Sequence, residues 1–303
     1  MLTRRRFIAI SAAMAATTRT ALARPAARVW TGQAMGARAS LRLDHPQAET
    51  IAARALAEID RLEDILSLYR PDSALSRLNR DGDLPAPPFE LLDCLALAGA
   101  VHRASEGAFD PSIQPLWTLW AEAAAAGDRP DPAAIRAARA RSGWAGLRFD
   151  PARVSLRPGM ALTLNGVGQG YVADRVALLL EAEGLTDILI DTGEFRALGG
   201  QPDGGDWPVR LQAGGSVDLR DRALATSAPR GTTFDSTGAD GHIIDPATGR
   251  PVAAIWREVS VSAASAGLAD ALSTAACLTR DEAQMKRLIA GFAGARLEAA
   301  VRA

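Results

Sequence analysis

The order of apolar and polar positions divides the chain into short strands and amphipathic helices. Ala37–Leu43 alternates small or apolar with polar residues, the period-two signature of a strand with one buried face. Residues 48–68 carry Ala52, Ala55, Ile59, Leu62 and Leu66 at helical spacing, and the run stops before Tyr69-Arg70-Pro71. The same spacing predicts helices over 89–104, 131–142, 172–183, 268–278 and 281–289. Short apolar or alternating runs predict strands at 160–164, 187–191, 209–213, 258–263 and 295–299. Strands and helices mix without strict alternation. The expected fold is therefore α+β, a mixed sheet packed with helices, rather than a doubly wound parallel sheet. Residues 24–303 show no internal repeat and no dividing linker, and read as one domain.

Composition narrows the function class. The 303 residues are 48% apolar and 23% charged, which excludes disorder and a disulfide scaffold. A net charge of −1 argues against nucleic-acid binding through a basic surface. The N-terminus reads as an export leader. Arg4-Arg5-Arg6-Phe7 is followed by an apolar run from Ile8 to Ala16 and then by Ala21-Leu22-Ala23. That order gives a basic region, a short apolar region and an A-x-A cleavage site. Paired arginines suggest the twin-arginine route, cleavage near Ala23 and a periplasmic location. The apolar run is too short to span a bilayer, and no later run reaches about 18 apolar residues, so no transmembrane helix is expected. Cys94 and Cys277 lie in apolar helical patterns and read as buried free thiols.

Four segments carry candidate chemistry. Gly166-Val167-Gly168-Gln169-Gly170 stands between a predicted strand and a predicted helix. Three glycines there suit a phosphate cradle at a helix N-terminus, and G-x-G-x-x-A from Gly168 with Asp191 beyond has the form of a dinucleotide fingerprint. A tight turn before a helix explains the same glycines. Asp270-Ala-Leu-Ser273-Thr274 puts a carboxylate and two hydroxyls on one helix face, an oxygen set that suits Mg²⁺. A solvated Asp in a first helical turn is the plainer alternative. His242 and Asp245, within His242-Ile-Ile-Asp245-Pro246, are a possible base and partner, or a turn with a surface histidine. Gly107-Ala108-Phe109-Asp110-Pro111 reads as a helix stop and a loop, from which Asp110 could reach a ligand. His45 and His102 have no chemical neighbours in sequence.

Together these segments resemble the ApbE-like flavin transferases, which move FMN from FAD onto a threonine of a partner protein. The resembling pieces stand in the family's order. They are Met35-Gly36; Leu66 to Ser73 with Leu78-Asn79; Gly107 to Asp110; Gly168 to Tyr171 with Ala173-Asp174; His242 to Pro246 with Thr248 to Pro251; and Ala269 to Ala275. The resemblance demotes the dinucleotide fold. It implies that Met35, Tyr69, Ala108, Phe109, Asp110, Thr163, Gln169 and Ile244 line an FAD site. It implies Mg²⁺ at Asp270, Ser273, Thr274 and the carbonyl of Gly166, with Asp270 or His242 taking the acceptor's proton. It further implies AMP release and an exported flavoprotein partner in a membrane redox complex, of the ion-pumping or nitrous-oxide type. The chain departs from the family at Gln169, where Lys or Glu is common, and at Thr163 and Ser273, where some members carry an acid. An FAD pyrophosphatase and a non-catalytic FAD-binding protein are the alternatives.

Overall fold

The computed structural model describes residues 28–303 apart from positions 44 and 203. The leader expected at residues 1–23 lies outside the described residues. In chain order, β1 (Arg28–Ala34) and β2 (Ala37–Leu43) form a hairpin that leads into α1 (Ala48–Leu66). There follow α2 (Ala74–Asp81), β3 (Asp83–Pro85), α3 (Phe89–Ala104), α4 (Gln114–Ala125), α5 (Pro132–Ala140), β4 (Leu147–Phe149) and β5 (Arg153–Leu156). The second half holds α6 (Gly168–Ala182), β6 (Ile188–Asp191), β7 (Phe195–Leu198), β8 (Trp207–Arg210), β9 (Ser216–Leu219) and β10 (Ala223–Ser227). It closes with β11 (Ile244–Asp245), β12 (Arg250–Pro251), β13 (Trp256–Ala263), α7 (Ala266–Cys277), α8 (Glu282–Ala290) and β14 (Arg296–Arg302).

One seven-stranded sheet organises these elements, in the order β1-β2-β6-β7-β10-β13-β14. Its neighbouring strands pair antiparallel throughout, so the α+β expectation holds. Alternation along the strands gives each face its own cover. Ile188, Ile190, Leu198, Ala223 and Ala225 join the main core, beneath the buried stripes of α1, α3, α6 and α7. Leu189, Ala197 and Leu224 point the other way, under Trp207, Val209 and Leu219 of the β8–β9 hairpin. That double cover explains why 188–190 reads as an unbroken apolar run. A third cluster joins Leu116 and Trp120 of α4 to Ile135 of α5 and to Ile244.

Two expectations are corrected. Residues 160–164 form no strand. The buried Leu162 has its backbone N–H and C=O taken by the side-chain amide of Asn79, at 2.7 and 2.8 Å. Thr163 N donates to the Pro111 carbonyl at 2.8 Å. A side chain and a loop thus satisfy groups that a partner strand would otherwise pair. The glycines at 168 and 170 also form no loop, because α6 begins at Gly168. Their smallness serves packing. A Cβ on Gly170 would stand 2.2 Å from the Ala266 carbonyl oxygen, so glycine lets α6 and α7 meet backbone to backbone. Asp174, one turn further along α6, fastens the start of α7. It accepts from Ser265 Oγ at 2.7 Å and from the N–H groups of Ala266 and Gly267 at 2.8 Å each. Gly170→Ala is expected to cost about 2–3 kcal/mol of stability, read by urea unfolding. An unchanged midpoint would mean that the helices part without cost.

Candidate active site

Met35 and Gly36 form the corner of the first hairpin, with φ of 50° and 83°. Positive φ at both corner positions is the mark of a tight hairpin turn, and it is strained for a methionine. The corner delivers two walls of a site. A Cβ on Gly168 would lie 3.0 Å from Met35 Cε, and one on Gly36 would lie 3.0 Å from the Tyr69 ring. Glu63 fixes the corner by accepting from Met35 N at 2.6 Å. Tyr69 is 56% exposed.

The loop after α3 brings the next wall. Phe109 is buried, and its ring edge would stand 3.2 Å from a Cβ on Gly166. His102 Nδ1 lies 2.8 Å from the Phe109 carbonyl and the ring stacks on Trp144, so this histidine holds the loop rather than taking part in chemistry. Asp110 accepts from Ser112 N at 2.8 Å and Ser112 Oγ at 2.6 Å, which caps the short turn at Pro111–Ile113. Phe109 thus meets Gly166, and the Pro111 carbonyl accepts from Thr163 N, across a turn that Asp110 caps. Gln169 sits against the turn after β6. Its backbone carbonyl accepts from Thr192 Oγ1 at 2.8 Å, and its side-chain amide would lie 2.8 Å from a Cβ on Gly193.

At the centre lies Asp270, 3% exposed, one turn from Ser273 and Thr274 on α7. The solvated-Asp alternative is thereby excluded. The carboxylate accepts from Gly170 N at 3.2 Å. Burial, with Asp174 nearby, pushes its pKa up from 3.8 to about 7. The phosphate-cradle expectation changes accordingly. Gly170 N serves Asp270 and Gly168 N serves the Leu164 carbonyl, so these first-turn donors of α6 are already engaged. Glu194, which the sequence reading gave no role, is buried beside Asp270 and accepts from Thr226 N at 3.2 Å. Burial and the Asp270 charge hold its pKa well above the usual carboxylate value.

Ser227, also missed, closes the centre. Its hydroxyl lies 2.7 Å from Ser273 Oγ and 3.2 Å from Thr274 Oγ1. Gly166 meets the same threonine, since a Cβ there would stand 3.2 Å from Thr274 Oγ1. Thr274 and the Gly166 backbone thus offer hard oxygen donors near the buried Asp270 carboxylate, which among the described residues forms no ion pair with lysine or arginine. That donor set fits Mg²⁺. Among the described residues no group of three His, Cys, Asp or Glu gathers as a metal site. A cation here would therefore rest on one carboxylate with hydroxyl and carbonyl oxygens.

Among the described residues no hydrogen bond ties the remaining two predicted residues, Ile244 and His242, to Asp270, Ser273 or Thr274. Ile244 is 1% exposed and its side chain packs with Trp120, Leu116 and Ile135, so only its backbone could face a nucleotide. His242 is half-buried at the end of the loop that leaves Ser227. Its Nδ1 lies 3.1 Å from the Thr232 carbonyl. A carbonyl only accepts, so Nδ1 carries the hydrogen and Nε2 keeps a lone pair. Burial lowers the ring's pKa below 6.5, which leaves it neutral near pH 7.

The buried acids predict a pH dependence. A carboxylate whose pKa is raised by folding binds more protons in the native state, so its contribution is present below the unfolded value and lost as pH rises through the folded one. Without metal, the protein should lose stability between pH 3.8 and about 7. Thermal unfolding in chelator checks this, and a melting temperature that rises across the window would contradict it.

Residues 35–295 match the family model of the ApbE family. The chain belongs to the ApbE family. It is 32% identical over 280 residues to an FAD:protein FMN transferase of Salmonella typhimurium, covering 84% of this chain and 79% of that one. A second, from Klebsiella pneumoniae, is 31% identical over 254 residues, 77% and 72% of the two chains. The apo form of the flavinyl transferase ApbE of Pseudomonas stutzeri superposes with a TM-score of 0.76 at 29% identity, covering 88% of each chain. The ApbE protein of Thermotoga maritima gives 0.78 at 25% identity, covering 91% of this chain and 97% of that one. The ApbE frame accounts for the site's make-up. Pieces far apart in sequence, at 35–36, 69, 108–110, 163–170 and 270–274, converge on one place.

Proposed function

We propose that the chain transfers FMN from FAD to a threonine hydroxyl of an exported redox protein, with Mg²⁺ at Asp270, and releases AMP. The observation that carries this reading is the buried Asp270 carboxylate, one turn from Thr274, whose side chain meets Gly166, near Met35, Tyr69, Phe109 and Gln169. The relatives named FAD:protein FMN transferase support the reaction type. Asp270, Thr274 and the Gly166 carbonyl would hold the cation. Bound Mg²⁺ supplies charge neutralisation on a pyrophosphate as it breaks.

The chain's own residues do the rest. Tyr69 and Met35 flank the flavin nucleotide and Phe109 excludes water, so positioning carries much of the rate enhancement. The acceptor oxygen forms a bond to the FMN-side phosphorus, the anhydride P–O bond breaks, and AMP leaves with the bridging oxygen. The threonine proton passes to Nε2 of His242, the ring atom left with a lone pair. The leader-like pattern of residues 4–23 supports action in the periplasm after twin-arginine export, on a flavoprotein subunit of a membrane redox complex. No described helix is long and apolar enough to cross a membrane.

The test mixes the chain, FAD and a panel of exported redox domains, with Mg²⁺ or with a chelator, and follows each domain by mass spectrometry. An FMN adduct on threonine that forms only with Mg²⁺ is expected. An adduct formed equally in chelator would remove the metal from the reading.

A further inference from the structure

We propose that Ser227 is a positioning residue that fixes the direction of the Thr274 hydroxyl. In this arrangement Ser273 belongs to the relay and is not itself a metal ligand. The proposal rests on the Mg²⁺ reading above.

The argument is a count of protons. Each serine or threonine hydroxyl has one to donate. Ser273 Oγ lies 3.0 Å from the backbone carbonyl of Asp270, which can only accept, so the Ser273 proton is spent there. Ser227 Oγ lies 2.7 Å from Ser273 Oγ. With the Ser273 proton committed, Ser227 must donate across that contact. Ser227 Oγ also lies 3.2 Å from Thr274 Oγ1. Its own proton is now spent, so Thr274 donates to it. The donors run in one direction, from Thr274 to Ser227 to Ser273 to the Asp270 carbonyl.

The consequence falls on Thr274. Its proton is held inward, and its lone pairs are left for the side that faces Gly166. An oxygen set in this way meets a cation without turning its hydrogen toward the charge. Ser273 is 0% exposed and spends both its proton and a lone pair inside the protein. It is thus placed to orient rather than to bind. The position of Ser227 is itself fixed. It pairs with Val259 of β13, and its carbonyl accepts from Cys277 Sγ at 3.4 Å. Without Ser227, the Thr274 hydroxyl is free to donate to the carbonyl four residues back, at Asp270, or outward.

The relay is tested by Mn²⁺ binding to the FAD-loaded protein, read from the electron paramagnetic resonance signal of free Mn²⁺. Outer partners of metal ligands typically change affinity about 10–100-fold. Ser227→Ala and Ser273→Ala should each weaken Mn²⁺ by about ten-fold. The double variant should be no weaker than either single one, because the relay is already cut. Ser227→Thr, which keeps the hydroxyl, should bind as wild type. Melting temperatures separate loss of the relay from loss of the fold. Wild-type affinity in a folded Ser227→Ala overturns the proposal. So does a Ser273→Ala loss far greater than that of Ser227→Ala, with additive behaviour in the double variant, since Ser273 would then be a ligand. Wild-type protein that binds no Mn²⁺ removes the metal reading itself, and the relay's purpose with it.

Discussion

Asp270→Ala is expected to lower FMN transfer by about three orders of magnitude, while FAD binding survives in part. The carboxylate is the one anionic donor among the oxygen atoms that would hold the cation. Its neighbours, hydroxyls and a carbonyl, do not replace a charge. The flavin walls at Met35, Tyr69 and Phe109 are built from other elements and remain in place. Stability should respond in the opposite sense. Removing a buried carboxylate whose pKa is pushed to about 7 relieves a destabilising charge at neutral pH, so the metal-free variant should melt no lower than wild type. Single-turnover transfer followed by mass spectrometry, with unfolding measured alongside, reads both effects. A variant that transfers at the wild-type rate would sink the metal assignment. A variant that is inactive and also unfolded would mean that Asp270 is structural.

His242→Ala should slow transfer by about 10²–10⁴-fold with little change in FAD affinity. The ring is held neutral, with its Nδ1 hydrogen on the Thr232 carbonyl, so Nε2 is ready to accept a proton near neutral pH. Its lowered pKa fixes the sign of the pH dependence. Transfer by wild type should rise as the ring loses its proton, through a midpoint below 6.5, and then level off. The variant should lack that rise. A pH–rate profile between about pH 5 and 8 covers the window. A profile unchanged in the variant would move the proton acceptor elsewhere.

Several of these features were legible in the sequence, for reasons tied to spacing. Residues three and four apart share a helix face, so Asp270, Ser273 and Thr274 could be grouped before any fold was known. The helix at 89–104 matched at both ends, and its buried Leu91, Cys94, Leu95, Ala98 and Val101 recur at helical spacing. Other features depend on distant strands. Ser227 is a serine at a strand end, and nothing in its neighbourhood marks it. Only the pairing of β10 with β13, and the packing of α7 on β10, brings its hydroxyl to Thr274. Glu194 was silent for the same reason. The glycines at 168 and 170 show a different difficulty. A glycine that lets a phosphate approach and a glycine that lets a helix approach look alike in sequence, and the Ala266 carbonyl decides between them. Residues 160–164 read as a strand because they are apolar, but Asn79, far away in sequence, takes the hydrogen bonds of Leu162. Ile244 lies in a segment shared with the family, yet its side chain fills a core beneath α4.

The most direct measurement is the ratio of AMP released to FMN-bearing threonine formed, with FAD, Mg²⁺ and an exported acceptor domain. Transfer predicts one AMP for each adduct, because the same bond cleavage yields both. AMP without an adduct, in the presence of a competent acceptor, would make the chain an FAD pyrophosphatase. FAD bound without either product would make it a flavin-binding protein.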